Sequence, residues 1–369
     1  MKTKNSCLIA GLLLATLTFA PVHAQMRHDR RDQPDMVVDA ALRQQVIDNM
    51  LAELNKRYVF PELAKKVDAD IRQRQQRGQY DAITSAEKLG RALTEHVQAL
   101  TKDKHLNMFY SAKPLPVEQE EKEPTPEERA QRVNMLRSQN FGVERLERLP
   151  HNIGYLQLNG FAPAKEAAET IAAAMTVLAH TEALIIDLRK NGGGHAATVT
   201  LLASYLLDKR THMSDIYERE GDTTEQMWSS DVVAGRRYGQ KKEVYILTSK
   251  RTFSAAEDFS YAMKNLKRAT IIGETTGGGA HPGGVMRLTT NFAMFIPTGR
   301  SIGPVTKTNW EGVGVAPDIE VAADEAMKTA QVAILKKMAA AEKAGPTLDR
   351  LTARIAQVEG ENSTAAVAR

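Results

Sequence analysis

Leu184-Ile185-Ile186-Asp187-Leu188-Arg189-Lys190-Asn191-Gly192-Gly193-Gly194 is a stretch that opens on an apolar run, ends in a triple glycine and is followed by a helical pattern over residues 196–207. The apolar opening reads as a buried strand that runs into the glycines. Outward from it, short β-rich runs alternate with longer helical patterns: strands at 155–158, 183–188, 244–248 and 270–272, and helices at 164–179, 196–207 and 254–266. This alternation predicts a mixed α/β fold with a largely parallel sheet covered by helices. Further on, runs at 285–288 and 293–296 are expected to extend the sheet edge as antiparallel strands. An Ala-rich helix over 323–342 follows, and the tail to residue 369 is expected to be loosely held.

Upstream, Val37, Leu42, Val46, Met50 and Leu54 recur at helical spacing, and the pattern resumes over 63–74 and 86–100, the latter behind the capping residue Ser85. A small N-terminal helical domain is therefore expected over 36–112. Residues 113–150, which contain PLPVEQEEKEPTPEER, read as a charged linker. The α/β core spans 151–325, and a C-terminal helix and tail occupy 326–369.

The first 24 residues carry Lys2 and Lys4, an apolar run over 8–14, and a small-residue end at Val22-His23-Ala24. That is the pattern of a secretory signal peptide, which predicts a periplasmic or secreted protein without stable membrane insertion. The only cysteine, Cys7, lies in this segment. Its removal leaves no thiol, which excludes cysteine catalysis, thiolate metal sites and disulfides. The formal charge of +4 falls further with the loss of the two lysines, so nothing argues for a nucleic-acid partner.

Residues 244–248 run through a tight connection into Ser254-Ala255-Ala256-Glu257. A strand–turn–helix junction of this kind lifts a hydroxyl to the carboxyl end of a sheet, where N–H groups of the new helix favour negative charge. Ser-x-x-Glu is equally an ordinary capping box, so Ser254 is either a nucleophile or a helix cap. The glycines at 192–194 let backbone N–H groups approach an oxygen closely. One N–H from Gly193 and one from Ala255 would form a two-donor oxyanion hole; the alternatives are a phosphate-binding loop or a plain turn.

The stretches GYLQLNGF (154–161), LIIDLRKNGGG (184–194), VYILTSKRTFSAAEDF (244–259), ATIIGETTGGGA (269–280) and EGVGVAPDIEV (311–321) together resemble the core of the tail-specific, or C-terminal-processing, serine peptidases. The resemblance implies a crotonase/ClpP-like core. The helical segment before it is similar to the N-terminal domain of the branch related to interphotoreceptor retinoid-binding protein. Two departures stand out. The better-known branch uses a lysine as general base in the glycine-rich stretch after the serine, where this chain has Gly279, and it carries a PDZ domain for which the interval from Tyr110 to Asn152 is too short.

A serine hydroxyl needs some base to take its proton. His105, in Asp103-Lys104-His105, resembles the Asp-x-His element of tricorn-like and retinoid-binding-like members. The resemblance implies His105 as base and Glu311 as the carboxylate completing the arrangement, since imidazole titrates near working pH and a carboxylate orients it. His195 and His281 are the competitors: His195 begins a helix, where its charged form is disfavoured, and His281 lies in a loop that could bind substrate instead. The histidines lack zinc-site spacing, so neither a metal nor a cofactor is expected. The expected activity is hydrolysis of extended or C-terminal polypeptide segments. The alternative is a non-catalytic module that binds a hydrophobic small molecule or peptide on the same fold.

Overall fold

The computed structural model describes residues 33–115 and 125–361. The expected signal peptide at 1–24 lies outside the described residues, as do 116–124 of the linker and 362–369 of the tail. Three helices open the described chain: α1 (Ala40–Arg57), α2 (Pro61–Gln76) and α3 (Ala86–Thr101). Asp39 and Ser85 cap α1 and α3, each accepting a backbone N–H from the first turn. Strand β1 (Asn107–Tyr110) follows α3 directly.

The expected charged linker holds more structure than its composition suggests. Thr125 and Glu128 form a capping box that starts α4 (Pro126–Ser138), and β2 (Val143–Leu149) is an edge strand of the main sheet. The alternation then runs β3 (Ile153–Leu158), α5 (Ala164–Leu178), β4 (Ala183–Asp187), α6 (Ala196–Leu206), the hairpin β5 (His212–Glu218) and β6 (Thr223–Trp228), β7 (Glu243–Thr248), α7 (Ala255–Asn265) and β8 (Thr270–Gly273). After it come β9 (Gly283–Arg287), β10 (Phe292–Pro297), β11 (Gly299–Ile302), β12 (Ile319–Glu320), α8 (Ala326–Ala341) and α9 (Pro346–Gly360).

The main sheet has the order β12-β8-β7-β4-β3-β2, parallel except for β2 against β3. Its central strands are buried on both faces, which is why they read as unbroken apolar runs. Leu184, Ile186, Val244 and Ile246 point into a core shared with α5, α6 and α7. Ala183, Ile185, Tyr245 and Leu247 point into another, closed by Ala330, Ile334 and Leu335 of α8 and Leu351 and Val358 of α9. The C-terminal stretch expected to be loose is therefore, through residue 360, a packed helix covering the sheet.

The strands at 283–297 do not extend the main sheet. They form a separate antiparallel sheet of order β1-β10-β9. Met286, Leu288, Phe292, Met294 and Ile296 share one core with Val46, Met50, Leu54, Leu89 and Leu93 of the N-terminal helices. The helical region is thus built onto a sheet made mostly from late sequence. This union fixes β1, and the residues just before it, against strands from the later half of the chain.

Asp258, in the first turn of α7, is buried with Ser214 Oγ of β5 as its hydrogen-bond donor at 3.5 Å. Burial pushes its carboxyl up to about 7. Between the unfolded value and pH 7 the folded chain holds a proton that the unfolded chain has released, so this stability is complete at acid pH and is lost as pH rises through 7. Asp258→Asn is expected to stabilise the fold at pH 8 by about 4 kcal/mol and to leave it nearly unchanged at pH 4. Thermal unfolding at the two pH values checks this; equal shifts at both would contradict it.

Candidate active site

Ser254 stands between the carboxyl end of β7 and the first residue of α7, on a turn pinned to the glycine loop. Thr252 Oγ1 donates to Leu188 O at 2.9 Å, and Phe253 N–H donates to Asn191 O at 3.1 Å. The capping box is present: the Ser254 N–H donates to Glu257 Oε2 at 2.9 Å. The backbone, however, is not that of a plain cap. Asp39, Ser85 and Thr125, which cap other helices, have φ of −80°, −101° and −57°, the side on which N-caps normally sit. Ser254 has φ 53° and ψ −121°. A non-glycine residue held there is strained, by about 1–3 kcal/mol. A nucleophile on a sharp strand-to-helix turn is held in that way.

Gly193 packs on this residue. With φ +109°, it lies so close that an added Cβ would meet Ser254 Cβ at 2.8 Å and Ala255 N at 3.2 Å. Gly193 and Ala255 are therefore neighbours, as the sequence suggests. The Gly193 N–H donates to Asn191 Oδ1 at 2.8 Å, so that donor is engaged.

Glu257, fully buried, ties the serine turn to the second glycine loop. Besides the Ser254 N–H it accepts from Thr276 Oγ1 at 2.5 Å and from the Gly278 and Gly279 N–H groups at 2.6 and 2.8 Å. Burial raises its pKa, and these four donors oppose the rise. Glu257→Gln halves the acceptor capacity and strands buried N–H groups, for an expected cost of about 2–4 kcal/mol by chemical denaturation. A variant as stable as the parent would show that this carboxylate does not hold the two loops.

His105 is buried between the rings of Phe253 and Phe295, at centroid distances of 4.6 and 5.5 Å. Phe253 immediately precedes the serine. Position 279, where a lysine was expected to be missing, has no room for one: a Cβ there would lie 2.2 Å from Phe253 Cζ and 2.7 Å from His105 Cε1. Asp103 lies beside His105: its Oδ1 accepts the His105 backbone N–H at 3.0 Å and stands 3.8 Å from its Nδ1.

Glu311 meets His281, with Oε2 3.4 Å from Nδ1, and accepts the Ala280 N–H at 2.5 Å. Burial, and then the Asp103 carboxylate, push Glu311 up to about 7. His281 Nδ1 in turn lies 2.8 Å from Asp103 Oδ2, which also accepts from the Tyr58 hydroxyl at 3.2 Å. Asp103 thus lies beside His105 and is linked through His281 to Glu311, the carboxylate expected from the sequence to orient the histidine. His195 opens α6 with its N–H donated to Phe161 O at 2.9 Å.

Asp103, His281 and Glu311 each offer one metal-ligand atom, all within 4.8 Å of one another. Local spacing could not reveal this trio, because its members come from segments far apart in sequence. Among the described residues no helix is long and apolar enough to cross a membrane.

A strained serine at the carboxyl end of a parallel strand, packed against a glycine loop and preceded by Phe253, whose ring lies on His105, defines the class of site. The family model for peptidase family S41 matches residues 152–321, and that for the N-terminal domain of peptidase S41 in eukaryotic IRBP matches 40–146. The chain belongs to peptidase family S41. Carboxyl-terminal-processing peptidase 2 (chloroplastic) of Arabidopsis thaliana is 28% identical over 179 residues, 45% of this chain and 31% of that protein. The carboxy-terminal processing protease CtpB of Bacillus subtilis (strain 168) is 28% identical over 130 residues, 35% of this chain and 25% of that protein. The chain spans between a quarter and about a third of the length of the curated relatives it matches. A solved lipoprotein from Streptococcus agalactiae shares the fold with a TM-score of 0.53 at 14% identity, over 84% of this chain and 99% of that one.

Proposed function

We propose that this chain is an exported serine peptidase that hydrolyses peptide bonds in extended or C-terminal polypeptide segments, with Ser254 as nucleophile and His105 as general base. The observation that carries the reading is the left-handed backbone of Ser254 against the glycine loop, a conformation that capping a helix does not require. Ser254 Oγ attacks the scissile carbonyl, and His105 accepts its proton while Asp103 orients the imidazole and stabilises its charge.

The oxyanion meets the Ala255 N–H at the start of α7, and the Gly193 N–H on exchanging Asn191 Oδ1 for the substrate oxygen. His105 then returns the proton to the leaving amine, and water resolves the acyl-enzyme. The packing of His105 Cε1 over Gly279 supports the choice of base: the imidazole fills the room a lysine at that position would need. The test is hydrolysis of an unstructured polypeptide by the parent chain and by Ser254→Ala, with activity expected only in the parent.

A further inference from the structure

Asp103 divides its two oxygens among three hydrogen-bond donors. Oδ1 accepts the His105 backbone N–H at 3.0 Å and stands 3.8 Å from the His105 Nδ1, and Oδ2 takes the Tyr58 hydroxyl at 3.2 Å and His281 Nδ1 at 2.8 Å. With a carboxylate as acceptor, Nδ1 of His281 is the donor. His281 is the nearer of the two donors on Oδ2, and it also reaches Glu311, at 3.4 Å. It therefore stands between the buried Asp103 carboxylate and the half-buried Glu311 carboxylate, which would otherwise repel each other. Phe60 closes its ring from the side, at a centroid distance of 5.0 Å.

We infer that His281 is a positioning residue: its Nδ1–H holds Asp103 as an acceptor aimed at His105, so that the carboxylate can steady the imidazole when it takes the serine proton. This rests on the serine–histidine reading above. His281 touches neither the nucleophile nor the reacting atoms in this role. It acts through Asp103.

The experiment compares His281→Gln and His281→Asn in steady-state hydrolysis of an unstructured peptide, with Ser254→Ala as control and thermal unfolding to verify that each variant is folded. An Asn amide can sit where Nδ1 does and keep the donor, whereas a Gln amide reaches the Nε2 position instead. His281→Gln is expected to lose about 10- to 100-fold in kcat with KM nearly unchanged, the effect of removing a hydrogen bond to a charged group. His281→Asn is expected to stay within about fivefold of the parent kcat by the same reasoning. Equal kcat values for the two variants, whether both high or both low, would overturn the inference. Failure of the serine reading itself looks different, because Ser254→Ala would then hydrolyse the peptide at the parent rate.

Discussion

Polypeptide hydrolysis by this chain is expected to fall at least about 10,000-fold in kcat when Ser254 is replaced by Ala. The loss is large because the hydroxyl is the group that forms the acyl bond; what survives is the oxyanion site and substrate binding, which act only on direct attack by water. The substitution removes one oxygen from a residue whose backbone N–H is held by Glu257, so the fold should persist. Relief of strain is not expected, because alanine inherits the same φ of 53°. Activity in the variant above about 1% of the parent would exclude Ser254 as nucleophile.

His105→Ala is expected to produce a loss of similar size, about 10,000-fold, since an unassisted serine hydroxyl is a weak nucleophile at neutral pH. The two effects should not multiply. A base has nothing to activate once the hydroxyl is gone, so the double variant should match the single ones. Loss of packing against Phe253 and Phe295 could also disturb the site, and His105→Gln, which fills most of the space without a basic nitrogen, separates the two causes. A glutamine variant within about tenfold of the parent would remove His105 from the proton-transfer step.

The parallel strands were legible because burial on both faces leaves an unbroken apolar run, as at residues 184–186, and the intervening helices followed from their spacing. Partners were not legible. The runs at 285–288 and 293–296 announce strands, but nothing local says that β10 pairs with β1, from the far end of the chain. Leu351, Ile355 and Val358 carry the helical period that packs α9 on the sheet, a signal the polar composition of the tail obscured.

The site divides in the same way. Ser254, Gly193 and Ala255 lie on two strand ends and could be read from motifs. Asp103 was visible beside His105 without its role, because its link to His281 and Glu311 joins three distant segments. The left-handed conformation of Ser254 is a property of the turn, set by Glu257 and the glycine loop, and a serine before a helix looks the same in sequence whether it is strained or relaxed.

Incubation with a fluorophosphonate probe, followed by mass spectrometry of the peptide spanning residues 252–264, reports the reactivity of Ser254 itself. A base-activated nucleophile predicts one phosphonyl adduct, on Ser254, formed rapidly in the parent and far more slowly in His105→Gln. An unlabelled Ser254, or equal labelling rates in the two proteins, would contradict it.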